Sequence, residues 1–195
     1  IGVIGAGNYA SRVLIPAFKK TKAILHTIAS SGGTNASING KKFGFLKATS
    51  DPSEIINNPE ISAVIIATRH NTHAKFSIEA LKAGKHVFVE KPLALNLDDI
   101  SKVEDAHNTS NKLLMVGFNR RFSPQINTMK KLLSIVKSPK CFVMVMNSGK
   151  IDSSHWTQDP RLGGGRIIGE ACHHIDLMRY LANAPIASIS AKSIG

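Results

Sequence analysis

The chain of 195 residues is 43% hydrophobic and 19% charged, a composition that supports a buried core in one large or two small domains. Its net charge of +12 is spread over dispersed lysine and arginine pairs with only 6% aromatic residues, which argues against nucleic-acid binding and for attraction to small anions. The sequence lacks an apolar run of the roughly 20 residues that a membrane helix needs, and it lacks the pattern of a signal peptide. Cys141 and Cys172 show neither disulfide nor zinc spacing, so we expect a protein of the reducing cytoplasm without a metal site. Because an apolar run is lacking, we also expect no membrane partner.

The first predicted strand, residues 1–4, leads into a glycine turn, Gly5-Ala6-Gly7-Asn8-Tyr9-Ala10, and a helical pattern follows. In the spacing G-x-G-x-x-A, Gly5 permits the tight turn, Gly7 lets the backbone approach a pyrophosphate, and Ala10 allows the helix to pack on the strand. Amide groups at the start of the helix then point at the phosphates. The turn predicts a dinucleotide site, and a tight turn without a ligand is the alternative.

The second predicted strand, residues 23–29, ends in Ser30-Ser31-Gly32-Gly33. Enzymes that use NAD usually carry an aspartate or glutamate at this place, about 20 residues beyond the glycines, to bind the ribose 2′-hydroxyl. Here no carboxylate occurs before Asp51, and serine hydroxyls beside a glycine-rich loop can accept a 2′-phosphate. We therefore predict that Ser30 and Ser31 favour NADP(H) over NAD(H). The alternative is that Ser30 only ends the strand and both cofactors bind.

Strand and helix patterns alternate without a break as far as residue 122. Further strands are predicted over residues 43–49, 63–67, 85–89 and 112–117, and helices from Asp51, over 76–83 and over 97–107. Continuous apolar strands are typical of a sheet that is covered on both faces. We predict an α/β fold, a doubly wound parallel Rossmann sheet in which residues 1–122 form the dinucleotide-binding domain.

After residue 122 the chain is predicted to leave the sheet, and the character of the sequence changes from Lys140. Predicted in order are a helix over 124–136, a hinge at Ser138-Pro139, a strand over 141–146, a loop with the only tryptophan, Trp156, a helix over 167–181 and a strand over 187–192. Residues 123–195 are therefore predicted to begin a second α/β or α+β domain, which the sequence leaves incomplete.

A lysine stands at the end of one of the predicted strands. Glu90-Lys91-Pro92 follows the strand of residues 85–89, and Pro92 keeps Lys91 out of the helical region of the backbone. The carboxyl ends of parallel strands are where open α/β sheets bind their ligands. Lys91 is therefore a candidate functional residue.

Together these features resemble the Gfo/Idh/MocA family of glucose-fructose oxidoreductases and inositol dehydrogenases, including chains in which this module follows a zinc-type alcohol dehydrogenase domain. The first residue is not methionine, which fits a segment of such a longer chain. The motifs that carry the resemblance are Gly5-Ala6-Gly7-Asn8, Ala67-Thr68-Arg69-His70-Asn71-Thr72-His73, Glu90-Lys91-Pro92-Leu93-Ala94, Gly117-Phe118-Asn119-Arg120-Arg121-Phe122, Gly163-Gly164-Gly165 and His173-His174-Ile175-Asp176.

The resemblance implies an NAD(P)-dependent dehydrogenase or reductase that moves a hydride between nicotinamide and a secondary alcohol or ketone of a sugar, polyol or sugar nucleotide. It also implies a homo-oligomer whose second domain covers the nicotinamide, and a Lys91-Pro92 bond that can be cis. In the family pattern Lys91 binds the substrate oxygen and His173 exchanges the proton. The expected cofactor contacts are Gly5, Gly7, Asn8, Tyr9, Ser30, Ser31, Thr68, Arg69, His70, His73, Glu90 and Lys91. The expected substrate contacts are Lys91, Asn119, Arg120, Trp156 and His173.

Two positions depart from the family pattern. Gly169 stands where many members carry an aspartate, four residues before the histidine, and Glu170 either substitutes for it or lies on the helix surface. Arg69 stands where many relatives have proline, and it is available to a phosphate or an acidic substrate group. The loss of the aspartate favours the second function we consider, a non-catalytic dinucleotide sensor or interaction module of the same fold.

The sequence leaves two interpretations open for the role of several side chains. His73 either caps the following helix or contacts the cofactor. Arg120 and Arg121 are either surface charges or ligands in the crevice. His173 and His174 are adjacent on a helix, so only one of them can point into a given pocket.

Overall fold

In the computed structural model, which describes residues 1–192, one parallel sheet of six strands organises the chain. The strands are β1 Gly2–Ile4, β2 Thr27–Ala29, β3 Lys47–Thr49, β4 Ala63–Ile66, β5 His86–Val89 and β6 Leu114–Val116. Their order across the sheet is β3-β2-β1-β4-β5-β6, with every neighbouring pair parallel. The predicted doubly wound α/β fold is confirmed.

Seven α-helices accompany the sheet in the described part of the chain. They are α1 Ile15–Lys19, α2 Thr34–Phe43, α3 Ser53–Ile56, α4 His73–Lys82, α5 Leu97–Ser110, α6 Pro124–Ile135 and α7 Cys172–Ala182. A π-helical turn, Ala10–Leu14, leads into α1, and another, Ile167–Ala171, leads into α7. None of the helices within residues 1–192 has the length and apolar content to cross a membrane.

The central strands bury side chains on both faces because successive residues point to opposite sides of a sheet. Val3 and Ile65 pair in register and join one core with Leu14, Ile15 and other buried residues under α1 and α2. Their neighbours Ile4 and Ile66 also pair and join the opposite core, which extends to α4 and α5. This two-sided burial explains the continuous apolar run of β4.

The strand order reverses between β1 and β4, since the chain first builds outward to β3 and then returns to the other side of β1. Ligands of open α/β sheets bind beyond the strand ends at such a switch point. Gly5 and Ala67 directly follow these two strands, and the Ala67 amide donates to Ile4 O at 2.8 Å. The topology therefore places the candidate site at this edge.

Helix α2 was not predicted, and the strands on either side of it are shorter than expected. Its sequence is rich in Thr, Asn, Ser and Gly, which are weak helix formers. Tertiary packing compensates for this weakness: Gly40 brings the helix so close to Ala48 that a Cβ there would lie 3.3 Å from the Ala48 methyl group. Gly44 then ends the helix in the left-handed conformation, with φ 81°.

The strands predicted over residues 141–146 and 187–192 are wrong for the described structure, which has no regular secondary structure there and pairs neither segment with the sheet. A strand needs a neighbouring strand for its backbone hydrogen bonds, and sequence alternation alone does not supply one. Phe142 and Met144 lie against α7, whereas Val143 and Val145 are 86% and 84% exposed. The side chains alternate as the sequence predicted. One set lies near α7, and the other set is exposed. The predicted helix over 167–181 is confirmed as the π-helical turn and α7.

Candidate functional site

A cleft of about 350 Å³ lies at the carboxyl ends of β1, β4, β5 and β6. The start of α7 and the loop with Trp156 supply its opposite wall. The residues that line it are Tyr9, Ala67, Thr68, His70, His73, Glu90, Lys91, Asn119, Trp156 and His173. Another depression of about 440 Å³, between α6 and the end of α7, is lined by lysines and apolar groups without histidine or carboxylate. We therefore take the strand-end cleft as the candidate site.

The two glycines of the first turn occupy different surroundings. Gly5 has φ 105°, and a Cβ there would lie 2.4 Å from the Ala67 carbonyl oxygen, so only glycine fits. Gly7 has nothing within 4 Å of a Cβ position, which leaves open space above the turn. Asn8 and Tyr9 are exposed beside it, and Ala10 is buried under the sheet. The turn fits a dinucleotide, since an uncrowded backbone lets a pyrophosphate approach.

Tyr9 connects this turn to the end of β6. Its hydroxyl accepts a hydrogen bond from Asn119 Nδ2 at 2.8 Å. Burial raises the pKa of Tyr9, the nearby Glu90 charge raises it further, and the Asn119 hydrogen bond opposes them. Asn119, which the sequence predicted as a substrate contact, therefore positions Tyr9.

The end of β2 carries Ser30 and Ser31. The Ser30 hydroxyl accepts a hydrogen bond from the Ala36 amide at 3.1 Å, so it stabilises the first turn of α2. Ser31 is exposed. Gly33 follows with φ 68° and turns the chain into the helix. Both serines lie outside the lining of the cleft, at a separate strand end.

His73 joins the turns after β4 and β5. It is 1% exposed, and its ring nitrogens lie 2.8 Å from the Pro92 carbonyl oxygen and 3.1 Å from the Thr68 carbonyl oxygen. Burial lowers its pKa against the opposing effect of these carbonyl groups. Since both nitrogens have backbone partners, His73 holds two loops together, a bridge that no sequence motif indicates.

His70 and Arg69 contact the loop that covers the cleft. His70 Nδ1 lies 2.8 Å from the Gly163 carbonyl oxygen, and its ring meets Trp156 edge-on with centroids 4.8 Å apart. Burial is the main reason that the pKa of His70 is lowered. The Arg69 guanidinium lies over the Trp156 ring, 5.7 Å from its centroid. Trp156 is thus held in the wall of the cleft from two sides.

Lys91 crosses the cleft to the segment before α7. Its Nζ atom donates to the Gly169 carbonyl oxygen at 2.7 Å and to Glu170 Oε2 at 3.3 Å. Glu170 Oε1 accepts from Arg120 Nη2 at 3.2 Å. Burial works to raise the pKa of Glu170, but the charge and hydrogen bond of Lys91, with the His173 and Arg120 charges, lower it overall. Glu170 therefore faces Lys91, and the Lys91-Pro92 peptide bond is cis.

His173 lies in the same wall. It is 6% exposed, its ring meets Phe118 edge-on, and within residues 1–192 its Nδ1 atom has no hydrogen-bond partner. Burial, followed by the positive charges of Lys91 and Arg120, lowers the pKa of His173 to about 4. His174 lines an apolar depression with Phe142 instead. The uncharged His173 is thus the one of the two histidines that faces the cleft.

Glu90 is a buried carboxyl group in the cleft lining. It is 8% exposed, and its Oε1 atom has no partner among the described residues. Burial raises its pKa to about 7, against a hydrogen bond from the Lys91 amide and the Lys91 charge. A Cβ on Gly117 would lie 2.7 Å from Oε1, so glycine makes room for this carboxyl group. The sequence marked Glu90 as a cofactor contact but did not predict its raised pKa.

Arg121 anchors α7 to the end of β6. Its Nε atom donates to Asp176 Oδ2 at 2.6 Å, its Nη2 atom contacts Asp176 Oδ1, and the guanidinium lies over Tyr180. A bidentate pair of this kind fixes orientation as well as distance. Arg120 and Arg121 therefore both contact acidic residues near His173, a pairing that the sequence left open.

The structure thus brings together most of the predicted contacts around Lys91 and His173, and it leaves Ser30, Ser31 and Gly7 along the same sheet edge. No group of three His, Cys, Asp or Glu side chains in the described part of the chain is arranged to hold a metal ion. The edge fits an elongated dinucleotide that lies from β2 across the glycine turn toward the cleft.

Comparisons with known proteins agree with this arrangement. Residues 1–118 match the sequence model of the Gfo/Idh/MocA oxidoreductase family, which is described by its NAD-binding Rossmann fold. The chain is 31% identical to myo-inositol 2-dehydrogenase of Thermotoga maritima, over 98% of this chain and 57% of that protein. It is 30% identical to 1-carboxy-3-chloro-3,4-dihydroxycyclohexa-1,5-diene dehydrogenase of Comamonas testosteroni, over 98% of this chain and 49% of that one.

A solved structure is also similar. Levoglucosan dehydrogenase in complex with NADH and levoglucosan matches with a TM-score of 0.76 and 29% identity, over 92% of this chain and 53% of that chain. The chain spans about half the length of the relatives it matches.

Proposed function

This chain belongs to the Gfo/Idh/MocA family of oxidoreductases, and we propose that it carries the catalytic cleft of an NAD(P)-dependent dehydrogenase. The proposed reaction moves a hydride between nicotinamide and a secondary alcohol or ketone of a sugar or polyol. The observation that carries the proposal is the meeting of Lys91 and His173 in one cleft beside the glycine turn. The relatives are named for inositol, levoglucosan and a carboxylated cyclic diol, so we propose a ring-shaped polyhydroxy substrate.

Residues along the sheet edge are suited to hold the cofactor. Gly5 and Gly7 would form the turn under the pyrophosphate, flanked by Asn8 and Tyr9, while Ser30 and Ser31 would stand at the ribose end. Thr68, His70, His73 and Glu90 are proposed to surround or support the nicotinamide end, and Arg69 lies beside them over Trp156, on the rim of the cleft. When bound, the nicotinamide accepts or supplies the hydride.

Lys91 is proposed to bind the reacting oxygen of the substrate. An ammonium group has three N–H donors. Two of them are directed at Gly169 O and Glu170 Oε2, which leaves one for the substrate. In the direction of oxidation, negative charge develops on the substrate oxygen as its proton leaves, and a fixed ammonium group stabilises that charge.

His173 is proposed to take the proton. With a pKa lowered to about 4, its imidazole is uncharged near neutral pH and can accept a proton from the alcohol. The imidazolium that forms lies near Glu170, whose negative charge raises the pKa of His173. Glu170 is therefore proposed to stabilise the protonated histidine while it also orients Lys91.

We propose NADP(H) as the preferred cofactor. The support is the end of β2, where no carboxylate is present to repel a 2′-phosphate. Because the Ser30 hydroxyl is bonded to the Ala36 amide, Ser31 is the hydroxyl proposed to meet the phosphate. The similar levoglucosan dehydrogenase is in complex with NADH, and titration of this chain with NADPH and with NADH measures its own preference.

The experiment that tests the function compares Lys91→Met with the unaltered protein, following nicotinamide absorbance with myo-inositol, levoglucosan and glucose as probes. We expect turnover by the unaltered protein and a loss of about 100-fold or more in the variant, with cofactor binding retained. Lys75→Met, an exposed lysine of α4, is the matched control and should leave turnover unchanged. Equal turnover in Lys91→Met would refute the proposed mechanism.

The non-catalytic sensor was favoured by the glycine at position 169. In the structure, Glu170 Oε2 lies 3.3 Å from Lys91 Nζ, so a carboxylate is present beside the lysine without an aspartate at position 169. A Cβ on Gly169 would lie 3.0 Å from Gly163 O and 3.2 Å from His70 Cε1, which leaves little room there for an aspartate. These contacts support the enzyme over the sensor.

A further inference from the structure

The positively charged side chains around the cleft differ in their partners. Lys91 and Arg120 both bind Glu170, and Arg121 binds Asp176. Arg69 is different, since no ion pair joins it to a carboxylate anywhere in residues 1–192. It is thus a cation at the cleft whose charge is not compensated.

The backbone of Arg69 is fixed, and only its side chain is free to reach a ligand. Its carbonyl oxygen accepts from the Thr72 amide at 3.1 Å, from the Thr72 hydroxyl at 2.9 Å and from the Thr68 hydroxyl at 3.3 Å. The residue itself is exposed, on the rim between Thr68 and His70, which both line the cleft. Arg69 is therefore placed to contact a molecule that enters from solvent.

Trp156 defines the direction in which that side chain extends. The guanidinium lies over the indole ring, which itself lines the cleft with Lys91 and His173. A guanidinium held over an aromatic face by a cation–π contact keeps its N–H donors available for a planar or tetrahedral oxyanion. Arg69 and Trp156 together thus present apolar surface and unpaired donors at one end of the cleft.

The acidic residues of the covering loop are engaged within the loop. Asp152 Oδ1 accepts from the Ser154 amide at 2.8 Å, and Asp159 Oδ1 accepts from the Arg161 amide at 2.7 Å. Neither forms an ion pair with Arg69 in the described structure. Arg69 therefore carries a charge for which residues 1–192 supply no carboxylate partner.

We propose that Arg69 and Trp156 form a subsite for an anionic group of the substrate, a carboxylate or a phosphate borne by a sugar or polyol ring. The proposal rests on the proposed function, because it orients the rest of the ring toward Lys91 and His173. Arg69 binds the oxyanion through two N–H groups, and Trp156 packs on the ring. The net charge of +12 attracts such a substrate at long range.

The single tryptophan of the chain makes the subsite directly observable. The protein, saturated with NADP⁺, is titrated with glucose, glucuronate and glucose 6-phosphate while Trp156 fluorescence is recorded, and calorimetry gives the same affinities independently. We expect at least one anionic probe to bind about tenfold or more tightly than glucose. The stronger of the two anions identifies the group as carboxylate or phosphate.

Two substitutions of Arg69 test its role. Arg69→Met should remove the preference for the anion by about tenfold and leave the affinity for glucose unchanged. Arg69→Lys should retain part of the preference, since it keeps the charge but loses the paired donors. Arg161→Met removes the same charge from an exposed position of the covering loop and should change neither affinity.

Two outcomes would overturn the proposal. One is equal affinity for glucose and both anions in the unaltered protein. The other is that Arg69→Met weakens NADP⁺ binding while the preference for the anion survives, which would assign Arg69 to a cofactor phosphate. Failure of the proposed function would look different: anion preference and its loss in Arg69→Met would persist, but no probe would reduce NADP⁺.

Discussion

The Lys91 ammonium group donates to the Gly169 carbonyl oxygen at 2.7 Å, across the cleft and 78 positions along the chain. The contact joins the end of β5 to the segment that leads into α7. Because the acceptor is a backbone atom, it does not depend on the side chain at position 169. Glu170 supplies the carboxylate, and Gly163 and His70 occupy the space that a side chain at 169 would need. The arrangement accounts for a glycine at position 169.

Glu170→Gln tests this account of the lysine and histidine pair. The substitution removes a negative charge that raises the pKa of His173 and holds Lys91. We expect turnover to fall by about tenfold and the acidic limb of the pH–rate profile to move to lower pH. Glu104→Gln, an exposed change on α5, is the control. An unchanged profile in Glu170→Gln would contradict the role given to this carboxylate.

Substitution of the two glycines of the first turn should affect different properties, stability at Gly5 and cofactor affinity at Gly7. Gly5→Ala forces a Cβ against the Ala67 carbonyl in a left-handed backbone, and it should lower the free energy of unfolding by about 2 kcal/mol or more. Gly7→Ala meets nothing within 4 Å, so stability should change by less than about 0.5 kcal/mol. Its Cβ lies where a pyrophosphate would approach, and NADPH affinity should fall. Urea unfolding and NADPH titration measure the two effects, and normal NADPH affinity in a stable Gly7→Ala would argue against the cofactor position.

Cofactor preference is tested at Ser31. Ser31→Asp adds a carboxylate at the end of β2 without removing the Ser30 bond to the Ala36 amide. A carboxylate repels a 2′-phosphate and accepts a hydrogen bond from a 2′-hydroxyl. We expect NADPH affinity to fall and NADH affinity to hold or rise, as measured by nicotinamide fluorescence. Ser31→Asn is the uncharged control, and parallel losses for both cofactors would contradict the preference for NADP(H).

Two buried groups predict opposite pH dependence of stability. The pKa of His173 falls from 6.5 to about 4 on folding, so its uncharged form stabilises the fold above pH 6.5 and this contribution is lost as pH falls toward about 4. The pKa of Glu90 rises from 4.5 to about 7, so its contribution is present below pH 4.5 and is lost as pH rises through about 7.

Relative to the unaltered protein, His173→Gln should therefore gain stability toward acid pH, and Glu90→Gln should gain it toward alkaline pH. The free energy of unfolding from urea titrations across this range measures both differences. His70, His73 and His174 also have lowered pKa values, so comparison with single variants is needed to isolate His173. Parallel pH curves for Glu90→Gln and the unaltered protein would show that Glu90 is not buried as described.

Much of the fold was predictable because the sheet has strong local signals. The glycine turn, the apolar strands and the strand-end lysine each follow from short stretches of sequence, and their order specifies a doubly wound sheet. Helix α2 escaped prediction because packing at Gly40, not propensity, stabilises it. The alternating pattern of residues 141–146 led to a wrong strand prediction, because a strand also needs a neighbouring strand and no local pattern reveals one.

The site was only partly predictable for a similar reason. Lys91 and His173 belong to recognisable motifs, but the contacts that fix them depend on residues far apart in the chain. Glu170 bonded to Lys91 and Arg121 bonded to Asp176 are long-range pairs that become visible only in three dimensions. The raised pKa of Glu90 likewise depends on burial.

We propose that a nicotinamide dinucleotide lies with its reactive end in the cleft beside Lys91 and Trp156. Energy transfer from Trp156 to NADPH measures this directly, because Trp156 is the only tryptophan and it lines the cleft. We predict saturable quenching of Trp156 with matching sensitised emission from bound NADPH, and loss of both in Gly7→Ala at the same NADPH concentration. Binding of NADPH detected by calorimetry without any change in Trp156 emission would contradict this placement of the cofactor.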